Sequence, residues 1–288
     1  MTKTKLVAPV LKWVGGKRQI LGEIKRYIPK TFETYYEPFL GGGAVLFELQ
    51  PKNASVNDIN SELMNVYVVI RDNVEDLIES LKQHGKAYKH NKKAKEYFYK
   101  IRELDRDKQI YDKLTSIEKA ARVIFLNKTC YNGLFRVNRA GQFNTPFGYY
   151  KNPSIVNAQT LRAVSDYFNS ADIRFSCDDF ETVLEDATEG DFVYLDPPYD
   201  PVSDTASFTG YDRGGFDKSE QTRLSQVCHK LNEKGVKFVL SNSATDFIMD
   251  LYKDYIIEII QARRVVNSRA DRRGDVDEVM VRNFERQW

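Results

Sequence analysis

Cysteine and histidine are scarce in this chain. Its three cysteines, Cys130, Cys177 and Cys228, are odd in number and far apart in 288 residues, which argues against a disulfide framework and against a Cys-x-x-Cys metal site. The three histidines, His84, His90 and His229, include no pair at zincin spacing, so neither a zinc centre nor a Ser-His-Asp triad is expected, and no metal is assigned. With 16 glycines and 9 prolines, collagen-like repeats and low-complexity disorder are excluded. Charge of one sign is lacking too. Lys plus Arg number 43 against 41 Asp plus Glu, a net +2 that excludes a histone-like polycation but allows a local basic face. No run approaches the roughly 18 apolar residues of a membrane span, and Met1 to Leu6 leads into no apolar signal segment. The expectation is a soluble, non-secreted, cytoplasmic protein that does not bind membranes.

What is present is a globular composition, 42% hydrophobic and 12% aromatic, long enough for one large domain or a core with an insertion. Residues 33–50 run from an aromatic strand-like stretch through Gly41-Gly42-Gly43 into an apolar helix-like stretch. Ala54–Asn57 reads as a second strand ending at Asp58, and Ser61–Arg71 as a helix, so the opening is βαβα and implies a parallel sheet. Lysines 82, 86, 89, 92, 93 and 95 then cluster near Tyr88, Tyr97, Phe98 and Tyr99. Thr115-Ser116-Ile117-Glu118 resembles a capping box, with Ile117, Ala121 and Ile124 at helical spacing. Residues 127–153 lose periodicity and take the composition of an ordered loop. Strand and helix alternation resumes with Asp191–Leu195, the helix Ser219–Lys234 and the strand Val236–Leu240, and Ile256–Ile260 and Val279–Phe284 form a closing pair. The expected architecture is an α/β domain built from residues 1–60 and 157–288, with a mostly helical insertion at 61–156.

Three places carry chemistry. The glycine loop follows a strand and opens a helix, where backbone can approach a ligand; a plain tight turn is the alternative. Asp58 sits where α/β nucleotide sites place an acid for ribose hydroxyls, or it caps the Ser61 helix. Asp196-Pro197-Pro198-Tyr199 is sharper, because two prolines remove two donors and stiffen a turn at the carboxyl end of an apolar strand. A carboxylate oxygen and the Pro197 carbonyl can take both hydrogens of an exocyclic amine and aim its lone pair at an electrophile, while the Tyr199 ring holds a base by its face.

With these motifs in view the chain resembles the Dam-type DNA adenine-N6 methyltransferases, which use S-adenosylmethionine and release S-adenosylhomocysteine. Lys12-Trp13-Val14-Gly15-Gly16-Lys17, Glu37-Pro38-Phe39-Leu40-Gly41-Gly42-Gly43 and Asp196 to Tyr199 resemble the family's N-terminal motif, cofactor loop and catalytic motif. Tyr131–Arg136 with Phe143–Gly148 resembles its recognition loop. The resemblance covers essentially the whole chain, with the motifs in the family's order, and implies a Rossmann-like methyltransferase sheet carrying an inserted target-recognition domain.

Residue by residue, the resemblance implies catalysis by Asp196, Pro197, Pro198 and Tyr199. It implies cofactor contacts at Trp13, Lys17, Glu37, Phe39, Gly41, Gly43, Asp58, Asp179, Phe180 and Asp196, although Asp178 stands where relatives often have glycine. Lys12, Tyr131, Asn132, Arg136, Pro146, Tyr150 and Lys151 match a surface that reads GATC in double-stranded DNA. An arginine such as Arg136 can fork onto the O6 and N7 edge of guanine. Lysines 82–95 would touch phosphate or form a solvated face. Arg263, Arg264, Arg269, Arg272 and Arg273 suggest either a DNA-facing loop between the last strands or a hairpin without contacts. The expected reaction is base flipping followed by in-line transfer to N6, by a monomer or weak dimer. Methylation of another amine, an inert DNA-binding protein on the same scaffold, and a nicotinamide oxidoreductase are the rival readings. General maintenance, pairing with a restriction endonuclease and a phage role stay open.

Overall fold

Phe192-Val193-Tyr194-Leu195 is apolar throughout and buried along its whole length, as a strand flanked by parallel neighbours and covered on both faces must be. The chain forms two units, one spanning residues 1–16, 41–52 and 60–177, the other, which contains this strand, 17–40, 53–59 and 178–288. The computed structural model describes residues 3–13, 15–17, 20–90, 94–202, 215–263 and 275–286.

The second unit holds β1 (Tyr35–Glu37), β2 (Asn53–Asn57), β4 (Phe192–Leu195), β5 (Lys237–Ser243), β6 (Ile256–Arg263) and β7 (Asp275–Arg282), while β3 (Asp172–Ser176) belongs to the first. Within the second unit the strand order is β2-β1-β4-β5-β7-β6. β1, β2, β4 and β5 are parallel, and β7 runs antiparallel between β5 and β6. β2 lies to one side of β1 and β4 to the other, so the order reverses at β1. Ligands of open α/β sheets bind at the carboxyl ends of the strands at such a reversal. Here those ends deliver Glu37 from β1 and Asp196 from β4, two neighbouring strands in register at Tyr35 with Phe192 and Tyr36 with Val193.

The helices of this unit are α1 (Leu21–Lys25), α9 (Phe180–Leu184), α10 (Lys218–Glu233) and α11 (Asp246–Leu251). In α10 the residues Leu224, Val227, Cys228 and Leu231 are buried and join Val193, Leu195, Phe238 and Leu240 in one core, as the spacing of apolar residues predicts.

The first unit holds α2 (Ala44–Leu49), α3 (Ser61–Asp72), α4 (Val74–His90), α5 (Ala94–Arg102), α6 (Lys108–Asp112), α7 (Ser116–Thr129) and α8 (Ala158–Ser170). Its central helix is α7, buried continuously from Ala120 to Asn127. The capping box at its start forms: Glu118 N–H donates to Thr115 Oγ1 at 3.2 Å and Thr115 N–H to Glu118 Oε2 at 2.8 Å. The helix runs on to Thr129, so the aperiodic stretch begins three residues later than its composition suggests. Asn60, not Asp58, caps α3, its side chain accepting from Leu63 N–H. Asp58 therefore does not cap this helix. β6 and β7 form the expected closing pair, but residues 264–274, with four of the five arginines of the second basic run, lie outside the described residues, as do Lys92 and Lys93.

Candidate active site and nucleic-acid interface

In the second unit, Asp196 leaves the end of β4 with a side chain only 19% exposed. Its Oδ1 receives two donors, Lys17 Nζ at 2.8 Å and Ser241 Oγ at 3.0 Å. Oδ2 makes no hydrogen bond among the described residues. Burial pushes the Asp196 carboxyl above its ordinary range, and the Lys17 ammonium and the Ser241 hydroxyl oppose that rise. Burial is the largest influence on the Lys17 ammonium and disfavours it, but Asp196, Tyr194 and Glu278 together outweigh it and lift Lys17 above the ordinary lysine value, so this lysine stays charged. The result is an oriented acceptor with one oxygen occupied.

Tyr199 is fixed at both ends. Its hydroxyl donates to Glu278 Oε2 on β7 at 2.9 Å, and Lys17 Nζ lies 4.4 Å from its ring centroid. Burial, then the Asp196 and Glu278 charges, raise its phenol well above the ordinary value, so the ring is neutral and its O–H remains a donor. The two prolines leave few local bonds to hold this loop, and side chains supply them instead. Gln221 Nε2 on α10 donates to the Pro198 carbonyl at 2.8 Å, and Asn242 Nδ2 on β5 donates to Gln221 Oε1 at 3.0 Å. Asn242 Oδ1 accepts from Asp200 N–H at 3.0 Å. Gln221, Ser241 and Asn242 are all fully buried. Sequence reasoning missed Ser241 and Asn242 because it ended the strand at Leu240, where the polar triplet Ser241-Asn242-Ser243 closing an apolar strand was the available signal, and it missed Gln221 because a glutamine inside an expected helix carries none.

Also in this unit, Glu37 is buried and accepts from the Tyr35 hydroxyl at 2.8 Å. Asp58 is half-buried at the end of β2 beside exposed Ile59. Asn57 joins the two neighbouring turns, donating to Pro38 O and Asp178 O and accepting from Asp178 N–H at 2.8 Å. Asp178 is not among the residues of positive φ, so the turn works without a glycine there. Asp179 caps α9, and its two oxygens pair with Arg223 at 2.8 and 2.7 Å. That hydrogen-bonded guanidinium holds Asp179 below the usual carboxylate range and stacks 4.2 Å over the Phe180 ring. Phe39 and Phe180 pack at 5.4 Å. Asp58 thus brings a half-buried carboxylate to the end of β2, and Phe39 and Phe180 bring a pair of flat apolar rings.

In the first unit, the Trp13 ring stacks on Phe135 at 4.9 Å and lies against the glycine loop. A Cβ at Gly41, whose φ is +48°, would come within 2.9 Å of Trp13 Cδ1. At Gly43 (φ +66°) it would come within 2.9 Å of Phe47, so both positions exclude side chains. Asn127, near the end of α7, accepts from Lys12 N–H at 2.9 Å and donates to Lys12 O and Gly133 O. This one buried amide ties Lys12 of the N-terminal motif to the loop at Gly133.

Lys12, Tyr131, Asn132, Arg136, Pro146, Tyr150 and Lys151 are all exposed. Several are brought together: Lys12 Nζ donates to Asn132 O at 3.4 Å, and Tyr131 N–H to Pro146 O at 2.8 Å. Arg136 and Asn144 lie across a short hairpin with a bridge between Val137 and Phe143. Arg136 Nε donates to Asn144 Oδ1 at 2.7 Å, which holds one side of the guanidinium and leaves Nη1 without a hydrogen bond among the described residues. The backbone of Tyr150 is held by the Tyr88 hydroxyl at 2.7 Å. Among the described residues no group of three or more His, Cys, Asp and Glu is arranged to hold a metal, and no helix is long and apolar enough to cross a membrane.

A parallel core closed by an antiparallel strand pair, with an acid-proline-proline-tyrosine turn at the end of β4, defines a methyltransferase fold of the S-adenosylmethionine-dependent type. Comparison with known proteins narrows this. Residues 13–266 match the model of the D12 class N6 adenine-specific DNA methyltransferases, and the chain belongs to that family. It is 42% identical over 285 residues to the type II methyltransferase M1.LlaDCHI of Lactococcus lactis subsp. cremoris, covering 99% of this chain and 98% of that one. It is 41% identical over 292 residues to the type II methyltransferase M.MjaIII of Methanocaldococcus jannaschii, covering 96% and 99%. A DNA adenine methylase of Escherichia coli is 30% identical over 271 residues, covering 94% and 93%.

Proposed function

We propose that this enzyme methylates adenine N6 within GATC in double-stranded DNA, using S-adenosylmethionine and acting on a flipped base. The observation that carries this reading is Asp196, held through Oδ1 by Lys17 and Ser241 while Oδ2 makes no hydrogen bond among the described residues. Asp196 Oδ2 and the Pro197 carbonyl then accept the two amine hydrogens, which withdraws the nitrogen lone pair from the ring and directs it. Gln221 already occupies the Pro198 carbonyl, which leaves Pro197 as the acceptor of the pair. Tyr199, anchored through its hydroxyl, presents a ring to the base, and most of the acceleration comes from positioning and preorganised charge. The cofactor, when bound, supplies an electrophilic methyl on a sulfonium centre. We assign Trp13, Lys17, Glu37, Phe39, Gly41, Gly43, Asp58, Asp179, Phe180 and Asp196 to it, and no metal.

A base inside the duplex cannot reach such an acceptor, and extruding it costs a few kcal/mol. Lys12, Tyr131, Asn132, Arg136, Pro146, Tyr150 and Lys151 are assigned to the DNA, with Arg136 on a guanine edge and Tyr131 against the bases left by flipping. In domain terms, 1–60 and 157–288 carry cofactor and catalysis, and 61–156 recognition. We place the enzyme in the cytoplasm on nucleoid DNA, as a monomer or weak dimer. The type II relatives favour a role beside a restriction endonuclease.

A map of methylated adenines in plasmid DNA from cells expressing the chain tests this. N6-methyladenine confined to GATC supports the reading, and methylation centred on another sequence overturns the assigned site.

A further inference from the structure

The hairpin that carries Arg136 is gripped from outside itself. Its own bonds fix its shape: Asn144 N–H donates to Arg136 O at 2.9 Å and Asn138 N–H to Gln142 O at 2.8 Å, Arg136 Nε to Asn144 Oδ1 at 2.7 Å and Thr145 Oγ1 to Leu134 O at 2.7 Å; what fixes its place is outside it. Phe143, on its returning strand, is held on both backbone groups by two consecutive residues that follow α5. Asp105 Oδ2 accepts from Phe143 N–H at 2.7 Å, and Arg106 Nη2 donates to Phe143 O. These two side chains thus make the bonds that a neighbouring strand would make. They are themselves fixed, because Asp105 Oδ1 pairs with Arg106 at 2.8 Å and Oδ2 with Arg122 at 2.7 Å. Arg122 is 1% exposed on the central helix α7 and also donates to the carbonyls of Ile101 and Arg102. A buried, multiply bonded guanidinium is a rigid anchor.

We propose that Asp105 and Arg106, anchored by Arg122, are specificity-determining positioning residues: they set where the 134–146 hairpin holds Arg136 and thereby the base discrimination of the enzyme. This rests on the reading of Arg136 as a base reader. Neither residue touches DNA in this account. A guanidinium fork discriminates only when its two donors meet two acceptors at hydrogen-bond distance, so a hairpin displaced by about an ångström keeps its charge and loses its selectivity.

Asp105 is a poor probe, since removing it takes from the buried Arg122 its nearer carboxylate and leaves only Glu62 at 3.8 Å, a cost to the core itself. Arg106 is 30% exposed and is the residue to change. The full chain as wild type, Arg106→Gln, Arg106→Lys, Arg136→Ala and the Arg106→Gln, Arg136→Ala double variant would methylate a randomised duplex library. The readout is kcat/KM at the wild type's own preferred sequence relative to each single base-pair variant, with thermal melting alongside. Arg106→Gln should lower discrimination at the base pair affected by Arg136→Ala, by about fivefold or more. Arg106→Lys should recover part of it, and the double variant should match Arg136→Ala alone. The proposal is overturned if Arg106→Gln leaves the profile unchanged while Arg136→Ala alters it, if its rate falls equally at every sequence, or if the two losses multiply. An unchanged profile in Arg136→Ala together with an altered one in Arg106→Gln overturns the base-reader assignment and retains the clamp. If neither variant alters the profile, both fail.

Discussion

Lys17 and Asp196 form a buried ion pair, Nζ to Oδ1 2.8 Å, at the carboxyl end of the central parallel strands. The carboxylate must be ionised to accept an amine hydrogen, and burial works against that. Lys17→Met removes the ammonium that opposes the rise, so the Asp196 pKa climbs further. The acidic limb of the kcat profile is expected to move to higher pH, with a smaller shift in the same direction for Ser241→Ala. Methyl transfer measured from pH 5 to 9 checks this, and a Lys17→Met profile that coincides with wild type contradicts it. Asp196→Ala should abolish methylation while DNA binding stays within about tenfold.

Gln221 and Asn242 stand behind the same loop. Gln221→Leu removes the donor to the Pro198 carbonyl and leaves Asn242 Nδ2 without its acceptor. An unsatisfied buried polar group costs about 1–3 kcal/mol, so stability should fall by that order. Because the loop loses its orientation, kcat should drop more than the KM for DNA rises. Urea unfolding together with steady-state kinetics reads both; an effect on KM alone would assign Gln221 a different role.

Gly133 has φ +67°, and a Cβ there would lie 2.7 Å from Lys12 Cδ and 3.3 Å from the Asn127 carbonyl. Gly133→Ala should cost roughly 1–3 kcal/mol through left-handed backbone strain and displace Lys12 from the recognition loop. Gly133→Asn should be milder on the backbone, since asparagine tolerates that conformation. Chemical denaturation midpoints for the two variants rank them, and equal costs would place the penalty on contact rather than on backbone.

His84 stacks on Phe125 at 4.9 Å, and burial pushes its pKa down to about 4. The unfolded chain takes up a proton near pH 6.5 that the folded chain refuses until about pH 4. This contribution to stability is therefore complete above pH 6.5 and falls away as the pH drops towards 4. Between pH 7 and 5 wild type should lose about 2 kcal/mol more than His84→Phe. Parallel pH dependences of the two proteins in urea would contradict it.

Much of the site was legible in the chain itself. The two prolines after Leu195, the glycines after Leu40 and the acid after β2 are short-range signals, because strand ends and tight turns are set by neighbours in sequence. The capping box at Thr115 and the buried stripe of α10 are local for the same reason. The partners of the Asp196–Tyr199 turn were not legible. Ser241, Gln221 and Glu278 reach it from 45, 23 and 79 residues away, and nothing in their own surroundings marks a serine, a glutamine or a glutamate as a positioning group. Asn127 belongs with them: it falls where periodicity gives way to loop composition, yet it is a buried helical amide with two bonds to Lys12, 115 residues away, and a third to Gly133.

By itself the sequence determined six of the seven described strands, the stiff acid-bearing turn, and the polar and aromatic residues that could meet DNA, since each follows from side-chain type and spacing along the backbone; β3 and the helices α8, α9 and α11 were not read from it. Only the tertiary structure decided that Lys17 would neutralise Asp196, that Arg223 would take both oxygens of Asp179, and that Asp105 and Arg106 would hold the hairpin of Arg136. A charge taken out of water, as at Lys17 with Asp196 and at Arg122 with Asp105, must find its counter-charge wherever the fold brings one, and that choice is made by packing across the whole unit.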